Sequence, residues 1–177
     1  MNDGPEAEVL RGIRLLLTDV DGVLTNGHLH FDSTGREVKV FHVHDGAGIV
    51  YWHRYGGMSG LVSGRGSEVV QLRGKELGMH EIHLGHHDKR GVFEEILERR
   101  TLSAHQVAYV GDDLLDLPIL RQVGFAAAPQ DARPEVREQV HYVARSAGGQ
   151  GVIREIVELL LKAQDKWDEV VRKGGLP

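Results

Sequence analysis

Two aspartates one residue apart follow directly on an apolar segment near the start of the chain. Residues 13–18 read Ile-Arg-Leu-Leu-Leu-Thr, and Asp19 and Asp21 come next. Such a run is typical of a buried strand, and its end lies at the carboxyl edge of a sheet, where open α/β sheets bind ligands. Because neighbouring carboxylates repel one another, the pair predicts a bound hard cation such as Mg2+. One carboxylate could then attack a substrate while the other transfers a proton.

Short apolar segments alternate with longer segments of helical periodicity along the rest of the chain. This alternation predicts an α/β fold, a Rossmann-like parallel sheet with helices on both faces. The predicted strands are Ile13–Thr18, Met58–Ser63, Glu81–Leu84, Val107–Val110 and Phe125–Ala128. The predicted helices are Gly46–Tyr55, Glu68–Leu77, Arg90–Arg100, Leu114–Val123 and Val152 to about Val171. Their predicted N-caps include Asp45, Ser67 and Asp88.

We expect a single domain over residues 1–177, because no linker rich in glycine, proline or serine divides the chain. Its core would span about residues 13–164, between polar termini. The segment at about residues 26–43 departs from the alternation and is typical of a β-hairpin. An isolated hairpin is only marginally stable, so it must pack against something. The sequence leaves open whether that is its own sheet or a partner subunit.

Composition excludes several functional classes. Cysteine is absent, which excludes disulfides, thiolate catalysis and thiolate metal sites. The net charge of −5 argues against nucleic acid or an anionic membrane as the main partner. The polar, acidic start is unlike a signal peptide, and every apolar run is far shorter than the ~20 residues of a membrane-spanning helix. We therefore expect a cytoplasmic protein with a small-molecule substrate.

Four polar segments each follow a predicted strand, so a parallel sheet would bring them to one edge. The aspartate pair is the first. The second is a turn with a hydroxyl and a glycine, which offers hydrogen-bond donors to an anion, and it contains Ser63, Gly64 and Arg65. The third is Lys89, a compact cation suited to a phosphoryl oxygen. The fourth supplies further carboxylates from Asp112, Asp113 and Asp116. Together they are the parts that metal-assisted phosphoryl transfer requires.

These four motifs, in this order, resemble those of the haloacid dehalogenase-like phosphatases. Over about residues 13–164 the chain is similar, more narrowly, to the phosphatases of 3-deoxy-D-manno-octulosonate 8-phosphate. The narrower resemblance depends on the sequence around Asp45-Gly46 and on residues 111–118 and 148–155. The resemblance implies a Mg2+-dependent phosphatase without a cap domain that forms a phosphoaspartate and serves lipopolysaccharide precursor synthesis. It also implies a homotetramer in which the hairpin joins subunits and neighbouring chains cover the active site.

The resemblance further implies a role for each motif residue. Asp19 would be the nucleophile and a Mg2+ ligand, and Asp21 the general acid and base, which binds the metal through its backbone carbonyl. Asp112 would complete the metal site. Ser63 and Lys89 would hold the phosphate.

The resemblance gives three further residues a role that has an alternative. Asp113 would orient metal-bound water or Lys89, and Asp116 would support the site, although both could simply cap the next helix. Arg65 distinguishes enzymes for octulosonate 8-phosphate, which carry arginine here, from relatives acting on nine-carbon ulosonate 9-phosphates, which carry glutamate. An arginine can bind a substrate carboxylate through two parallel hydrogen bonds. The alternative is a solvated Arg65 or one paired with Glu68.

Other interpretations remain open at the level of sequence. A nine-carbon ulosonate 9-phosphate is the alternative substrate. A phosphorelay receiver is the alternative from another class, but receivers carry the phosphorylated aspartate on a middle strand. An inactive scaffold is a third possibility. His83, His86 and His87 lack the helical spacing of zinc ligands and are interpreted as loop and surface residues, of which His86 or His87 could contact substrate. The Gly148–Gly151 segment could be a flap or a helix lead-in.

Overall fold

A fully parallel sheet of six strands forms the centre of the fold in a computed structural model that describes residues 7–176. Residues 1–6 and 177, which belong to the predicted polar termini, lie outside the described residues. The strands are β1 (Leu15–Thr18), β2 (His30–Phe31), β3 (Glu37–Val38), β4 (Met58–Ser63), β5 (Glu81–Leu84), β6 (Val107–Val110), β7 (Phe125–Ala128) and β8 (Tyr142–Val143).

Helices precede, connect and follow these strands. They are α1 (Ala7–Gly12), α2 (Val43–Arg54), α3 (Glu68–Glu76), α4 (Lys89–Arg100), α5 (Leu117–Leu120), α6 (Pro134–Arg137), α7 (Val152–Ala163) and α8 (Trp167–Arg172), with 3-10 turns at Ala104–Gln106 and Leu114–Asp116. The described helices are all too short or too polar to cross a lipid bilayer.

The strand order is β5-β4-β1-β6-β7-β8, with β2 and β3 forming a separate hairpin. Strands β4 and β5 therefore extend the sheet on one side of β1, and β6, β7 and β8 extend it on the other side. The two directions meet between β1 and β6, where Thr18 pairs with Val110. In open α/β sheets this point of reversal opens a crevice at the carboxyl ends of the strands. The last residue of β1 is followed at once by Asp19.

Alternate residues of the strands face two separate apolar layers. Leu16 belongs to a layer formed with α1, α2, α3, α7 and α8. Its neighbours Leu15 and Leu17 belong to the opposite layer, with residues of α4, α5 and α6. All three leucines are 0–1% exposed, because a strand buried on both faces has no polar side. The prediction of a parallel sheet with helices on both faces is confirmed.

Four of the predicted strands have the predicted bounds, and the first begins at Leu15 instead of Ile13. The prediction of one last helix to about Val171 is wrong. The chain breaks after α7, where Asp165 adopts a left-handed φ of 57°, and it resumes as α8. The helix predicted over residues 114–123 is a 3-10 turn followed by the four residues of α5.

Ser67 and Asp88 cap α3 and α4 as predicted, but Asp45 does not cap α2. That helix begins at Val43, after His42. Asp45 is buried, and its Oδ1 accepts a hydrogen bond of 2.9 Å from the backbone N–H of Arg154 in the first turn of α7. Burial raises the pKa of Asp45. One helix thus supplies a carboxylate to the N-terminus of another.

The hairpin is present, but its ladder is shorter than the predicted arms. Only His30 with Val38 and Phe31 with Glu37 are paired within the described residues. Its apolar side chains are exposed, with exposed fractions of 48% for Leu29, 59% for Phe31, 49% for Val38 and 70% for Val40. On the second arm, Glu37 and Lys39 alternate with Val38 and Val40, and the two charged side chains face the carboxyl edge of the sheet.

Candidate active site

The four predicted motifs converge at the carboxyl edge of the sheet. Asp19 follows β1, Ser63 ends β4, Lys89 opens α4, and Asp112 follows β6. Lys89 Nζ lies 2.9 Å from Asp19 Oδ1, which joins the first motif to the third. The parallel register of the central strands brings these segments together, since each strand ends at the same edge.

Lys89 is buried among carboxylates. Its residue is 2% exposed, and Nζ also lies 2.7 Å from Asp116 Oδ1. Burial alone would lower the pKa of this lysine, but Asp116 and Asp19 raise it above its ordinary value. A buried ammonium group is tolerated where opposite charges and hydrogen bonds compensate for the lost hydration. Lys89 is therefore a fixed positive charge beside Asp19.

Asp116 connects this lysine to the loop after β6. Its Oδ1 accepts a hydrogen bond of 2.7 Å from the hydroxyl of Tyr109, and its Oδ2 accepts from the backbone N–H groups of Asp112 and Asp113 at 2.9 and 3.2 Å. Asp116 has no exposed surface. Because both of its oxygens are engaged by donors, Asp116 supports the site, and Asp19 and Asp112 have the freer oxygens.

Asp19, Asp112 and Asp116 bring carboxylate oxygens within 4.8 Å of one another, which is a spacing that could hold a metal ion. Burial, followed by the charge of Asp116, raises the pKa of Asp19 to about 7. Burial, followed by the charges of Asp19 and Asp116, raises the pKa of Asp112 to about 8. The carboxylates repel one another in a site partly removed from water, and a cation would relieve that repulsion.

The carboxylate of Asp112 fits such a cation. Its Oδ1 is buried and has no hydrogen-bond partner within residues 7–176. Its Oδ2 lies against Gly22, where an added Cβ would come within 2.1 Å of that oxygen, and Gly22 has a φ of +94° that favours glycine. Carboxylate oxygens are the ligands that Mg2+ prefers. The carboxylates of Asp19 and Asp112 suit this ion.

The turn after β4 lies next to the carboxylates. Ser63 is buried, and its Oγ accepts a hydrogen bond of 3.2 Å from the backbone N–H of Arg65. Gly64 lies close to His87: a Cβ added at Gly64 would be 3.6 Å from His87 Nδ1. A hydroxyl and a backbone amide placed just before the N-terminus of α3 are groups of the kind that bind anions.

Arg65 pairs with acids other than Glu68. Its Nη2 lies 3.0 Å from Glu37 Oε1, and its Nε lies 3.6 Å from Asp21 Oδ2. The side chain is 43% exposed, so the guanidinium lies at the mouth of the site. The alternative of a pair with Glu68 is not found among the described residues.

The remaining predicted residues lie at the edge of this arrangement. Asp113 is exposed, and its carboxylate accepts a hydrogen bond of 2.8 Å from the N–H of Leu114, which begins the 3-10 turn. His86 and His87 are exposed in the loop before α4. The Gly148–Gly151 segment leads into α7 and packs against the backbone after Asp21, because Gly149 N donates to Val23 O at 2.8 Å.

Sequence reasoning missed three side chains at the site: Glu37, Lys39 and Tyr109. Lys39 Nζ contacts Asp21 Oδ1, and Glu37 contacts both Lys39 and Arg65. The available signal was the alternation of the second hairpin arm, which places these two charges on one face and Val38 and Val40 on the other. Tyr109 lies within a predicted buried strand, and a buried phenol requires a hydrogen-bond partner.

Comparison with known proteins gives the family. Residues 66–156 match the haloacid dehalogenase-like hydrolase family. The chain is 41% identical over 157 residues to the 3-deoxy-D-manno-octulosonate 8-phosphate phosphatase KdsC of Escherichia coli K12, covering 89% of this chain and 84% of that one. The phosphatase of the same name from Yersinia pestis superposes with a TM-score of 0.90 at 38% identity, covering 92% of this chain and 88% of that one.

A second solved structure is that of the Moraxella catarrhalis phosphatase of the same name, in complex with magnesium, phosphate and KDO. It superposes with a TM-score of 0.93 at 33% identity, and the match covers 95% of this chain and 97% of that one. A cobalt-bound relative from Haemophilus influenzae superposes with a TM-score of 0.90 at 36% identity, covering 94% of this chain and 98% of that one. The chain therefore belongs to the haloacid dehalogenase-like hydrolases, as the order of its four motifs predicts.

Proposed function

We propose that this enzyme hydrolyses 3-deoxy-D-manno-octulosonate 8-phosphate to octulosonate and phosphate, with Mg2+ as its cofactor. The observation that carries the proposal is the convergence of Asp19, Lys89 and Asp112 at one edge of the sheet. It occurs in a chain that aligns over 89% of its length with phosphatases of that substrate. The step belongs to the synthesis of lipopolysaccharide precursors.

Asp19 is the nucleophile in the proposed mechanism. Its carboxylate oxygen forms a bond to phosphorus while the bond from phosphorus to the ester oxygen breaks, and Asp21 gives that oxygen its proton. Asp21 then takes a proton from a water molecule, which attacks the phosphoaspartate, releases phosphate and restores Asp19. When bound by Asp19, Asp112 and the backbone carbonyl of Asp21, Mg2+ supplies positive charge that lets an anionic carboxylate approach an anionic ester.

Positive charge and donors on the chain hold the phosphate. Lys89 is already fixed 2.9 Å from Asp19, so its ammonium lies beside the group that is transferred. The hydroxyl of Ser63 and the amide group of Gly64 offer donors from the turn after β4. Fixed donors of this kind stabilise the charge of the equatorial oxygens without reorganising during the reaction.

Arg65 supports the eight-carbon sugar acid over the nine-carbon alternative. Its guanidinium is partly exposed at the mouth of the site and already binds the carboxylate of Glu37. It can bind a substrate carboxylate in the same way. Both candidate esters carry this carboxylate, so the preference for the eight-carbon acid rests on the resemblance, in which enzymes for octulosonate 8-phosphate carry arginine here and relatives acting on nine-carbon ulosonate 9-phosphates carry glutamate.

Phosphate release from the two candidate sugar acid phosphates tests the proposal. We expect a higher kcat/KM for octulosonate 8-phosphate than for the nine-carbon ester, and Asp19→Asn should lower kcat by about 10³-fold or more because the nucleophile is lost. Asp168→Asn, an exposed aspartate on α8, is the matched control. Preference for the nine-carbon ester would select the alternative substrate. A single phosphorylation event without turnover would instead indicate a receiver-like module.

The proposal includes a homotetramer and a cytoplasmic location. The exposed apolar side chains of Leu29, Phe31, Val38 and Val40 support a contact between copies of the chain through the hairpin. A phosphorylated sugar acid is highly charged and does not cross membranes unaided, which supports a site of action where the metabolite is made. Sedimentation equilibrium and cell fractionation test these two points.

A further inference from the structure

A buried lysine outside the four motifs lies beside Asp21. Lys39 follows β3, and its Nζ contacts Asp21 Oδ1 and lies 3.2 Å from Glu37 Oε1. The Lys39 side chain is 1% exposed, whereas that of Asp21 is 19% exposed. Removing an ammonium group from water is costly unless carboxylates surround it. The two acids on either side of Lys39 meet this requirement.

Glu37 fixes the position of Lys39. Its Oε2 accepts a hydrogen bond from the hydroxyl of Ser67, the N-cap of α3, and its Oε1 accepts one of 3.0 Å from Arg65 Nη2. Cationic and hydroxyl partners hold the pKa of Glu37 below its ordinary value in spite of its partial burial. Lys39 is thus held between the hairpin and the phosphate-binding turn, and it cannot turn into solvent without leaving Glu37 and Asp21.

The two oxygens of Asp21 have different surroundings. Oδ1 is contacted by Lys39 and lies 3.5 Å from the hydroxyl of Thr25. Oδ2 lies 3.6 Å from Arg65 Nε, which is longer than an ordinary hydrogen bond. Oδ1 is thus the engaged oxygen of this carboxyl group, and Oδ2 is the freer one.

We propose that Lys39 is a positioning residue for proton transfer by Asp21. By engaging Oδ1, it keeps the carboxyl group in the one orientation in which Oδ2 faces the ester oxygen of the substrate. The proton passes from Oδ2 to that oxygen as the bond to phosphorus breaks, and Lys39 keeps its own protons throughout. This inference rests on the proposed function, because it assigns Asp21 as the acid.

The leaving group gives a sharp test. Departure of a basic oxygen requires a proton, whereas p-nitrophenolate leaves readily without one. Phenyl phosphate and p-nitrophenyl phosphate are similar in shape and differ mainly in this property. We expect Lys39→Met to lower kcat on phenyl phosphate about tenfold more than on p-nitrophenyl phosphate, a fraction of the 10²–10⁴-fold that general acids contribute. Equal losses on both esters, or no loss on either, would overturn the proposal.

Three further variants keep the test decisive. Lys75→Met, at an exposed lysine on α3, is the matched control and should change neither rate. Glu37→Gln leaves Lys39 in place but weakens its anchor, so it should give the same selective loss at a smaller size, even if Lys39→Met fails to fold. In an Asp21→Asn background, Lys39→Met should no longer change the ratio of the two rates. An unchanged effect in that background would also contradict the inference.

These measurements separate the inference from the proposed function. Neither aryl ester is a sugar acid, so a wild-type enzyme inactive on octulosonate 8-phosphate but active on the aryl esters would contradict only the proposed substrate. A normal rate on octulosonate 8-phosphate together with equal aryl-ester losses in Lys39→Met would contradict only the role of Lys39.

Discussion

At the scale of single residues, Asp116 is fully buried and connects two parts of the site. It holds Lys89 with one oxygen and the backbone N–H groups of Asp112 and Asp113 with the other. Lys89 and the loop that carries Asp112 therefore share one buried carboxylate. Fixed supporting contacts of this kind limit the motion of catalytic groups.

The pKa values of Asp19 and Asp112 make metal binding depend on pH. They are raised from 3.8 to about 7 and about 8, so the metal-free folded protein retains protons that the unfolded chain has lost. The free energy of unfolding of the metal-free protein therefore decreases as the pH rises from about 4 to about 8. Ligand carboxylates must be ionised to bind Mg2+. We expect Mg2+ to raise Tm more at pH 8 than at pH 6.

Differential scanning fluorimetry with Mg2+ and with a chelator measures this difference. Asp112→Asn should remove most of the Mg2+-induced shift at pH 8, while Asp168→Asn should leave it unchanged. Equal shifts of Tm at the two pH values would contradict the assignment of these carboxylates as the metal site.

The motif residues could be predicted from the sequence because each lies at the end of a strand or shortly after it. Asp19, Ser63 and Asp112 reach one edge as soon as the sheet is parallel. Lys39 was not predictable in the same way, since its contact with Asp21 depends on the hairpin folding back over the sheet, and no local pattern determines that. Tyr109 depends on which face of β6 meets α4.

At the scale of elements, the central strands were more predictable than the helices. Each buried strand is a short apolar run bounded by polar or glycine residues, so its limits are visible in the sequence. Helix limits depended on tertiary contacts. α2 begins before Asp45 instead of after it, because the carboxylate of Asp45 binds the N-terminus of α7. The break between α7 and α8, at residues 163–167, interrupts an apolar periodicity that by itself predicts one continuous helix.

The carboxylate of Asp45 should stabilise α7 about as much as an N-cap side chain would. The helix begins after Gly151, which supplies no side-chain cap, so the N–H of Arg154 depends on Asp45. We expect Asp45→Ala to reduce the free energy of unfolding by about 1–2 kcal/mol, as for the loss of an N-cap. Urea denaturation followed by circular dichroism measures the change.

Glu95→Ala, at an exposed position on α4, serves as the control for this substitution and should change the free energy of unfolding by less than about 0.5 kcal/mol. Equal decreases in the free energy of unfolding for Asp45→Ala and Glu95→Ala would show that the contact between Asp45 and α7 does not stabilise the fold.

At the scale of the whole molecule, the second arm of the hairpin places its polar and apolar side chains on the opposite faces from those of an ordinary surface strand. The charged side chains of Glu37 and Lys39 face the carboxyl edge of the sheet, and those of Val38 and Val40, which alternate with them, face outward and are exposed. Exposed apolar groups grouped in this way mark a surface that another protein covers. The proposed partner is a second copy of this chain.

A charge on the outer face should therefore dissociate the assembly. We expect Val40→Asp to shift the mass measured by sedimentation equilibrium toward the 19.6 kDa of a single chain, and to lower activity if neighbouring subunits cover the site. Val171→Asp, at an exposed valine of α8, should leave the mass unchanged. A wild-type protein that sediments as a single chain would contradict the proposed interface.

Lys39 and Val40 are adjacent in the chain but point in opposite directions, and this has a consequence for how the segment can change. Inserting or deleting one residue between the turn and position 39 would exchange the two sets of side chains. It would carry the lysine into solvent and set a valine against the carboxylate of Asp21. We expect the length of this arm to be far less tolerant of alteration than the identity of its outward residues.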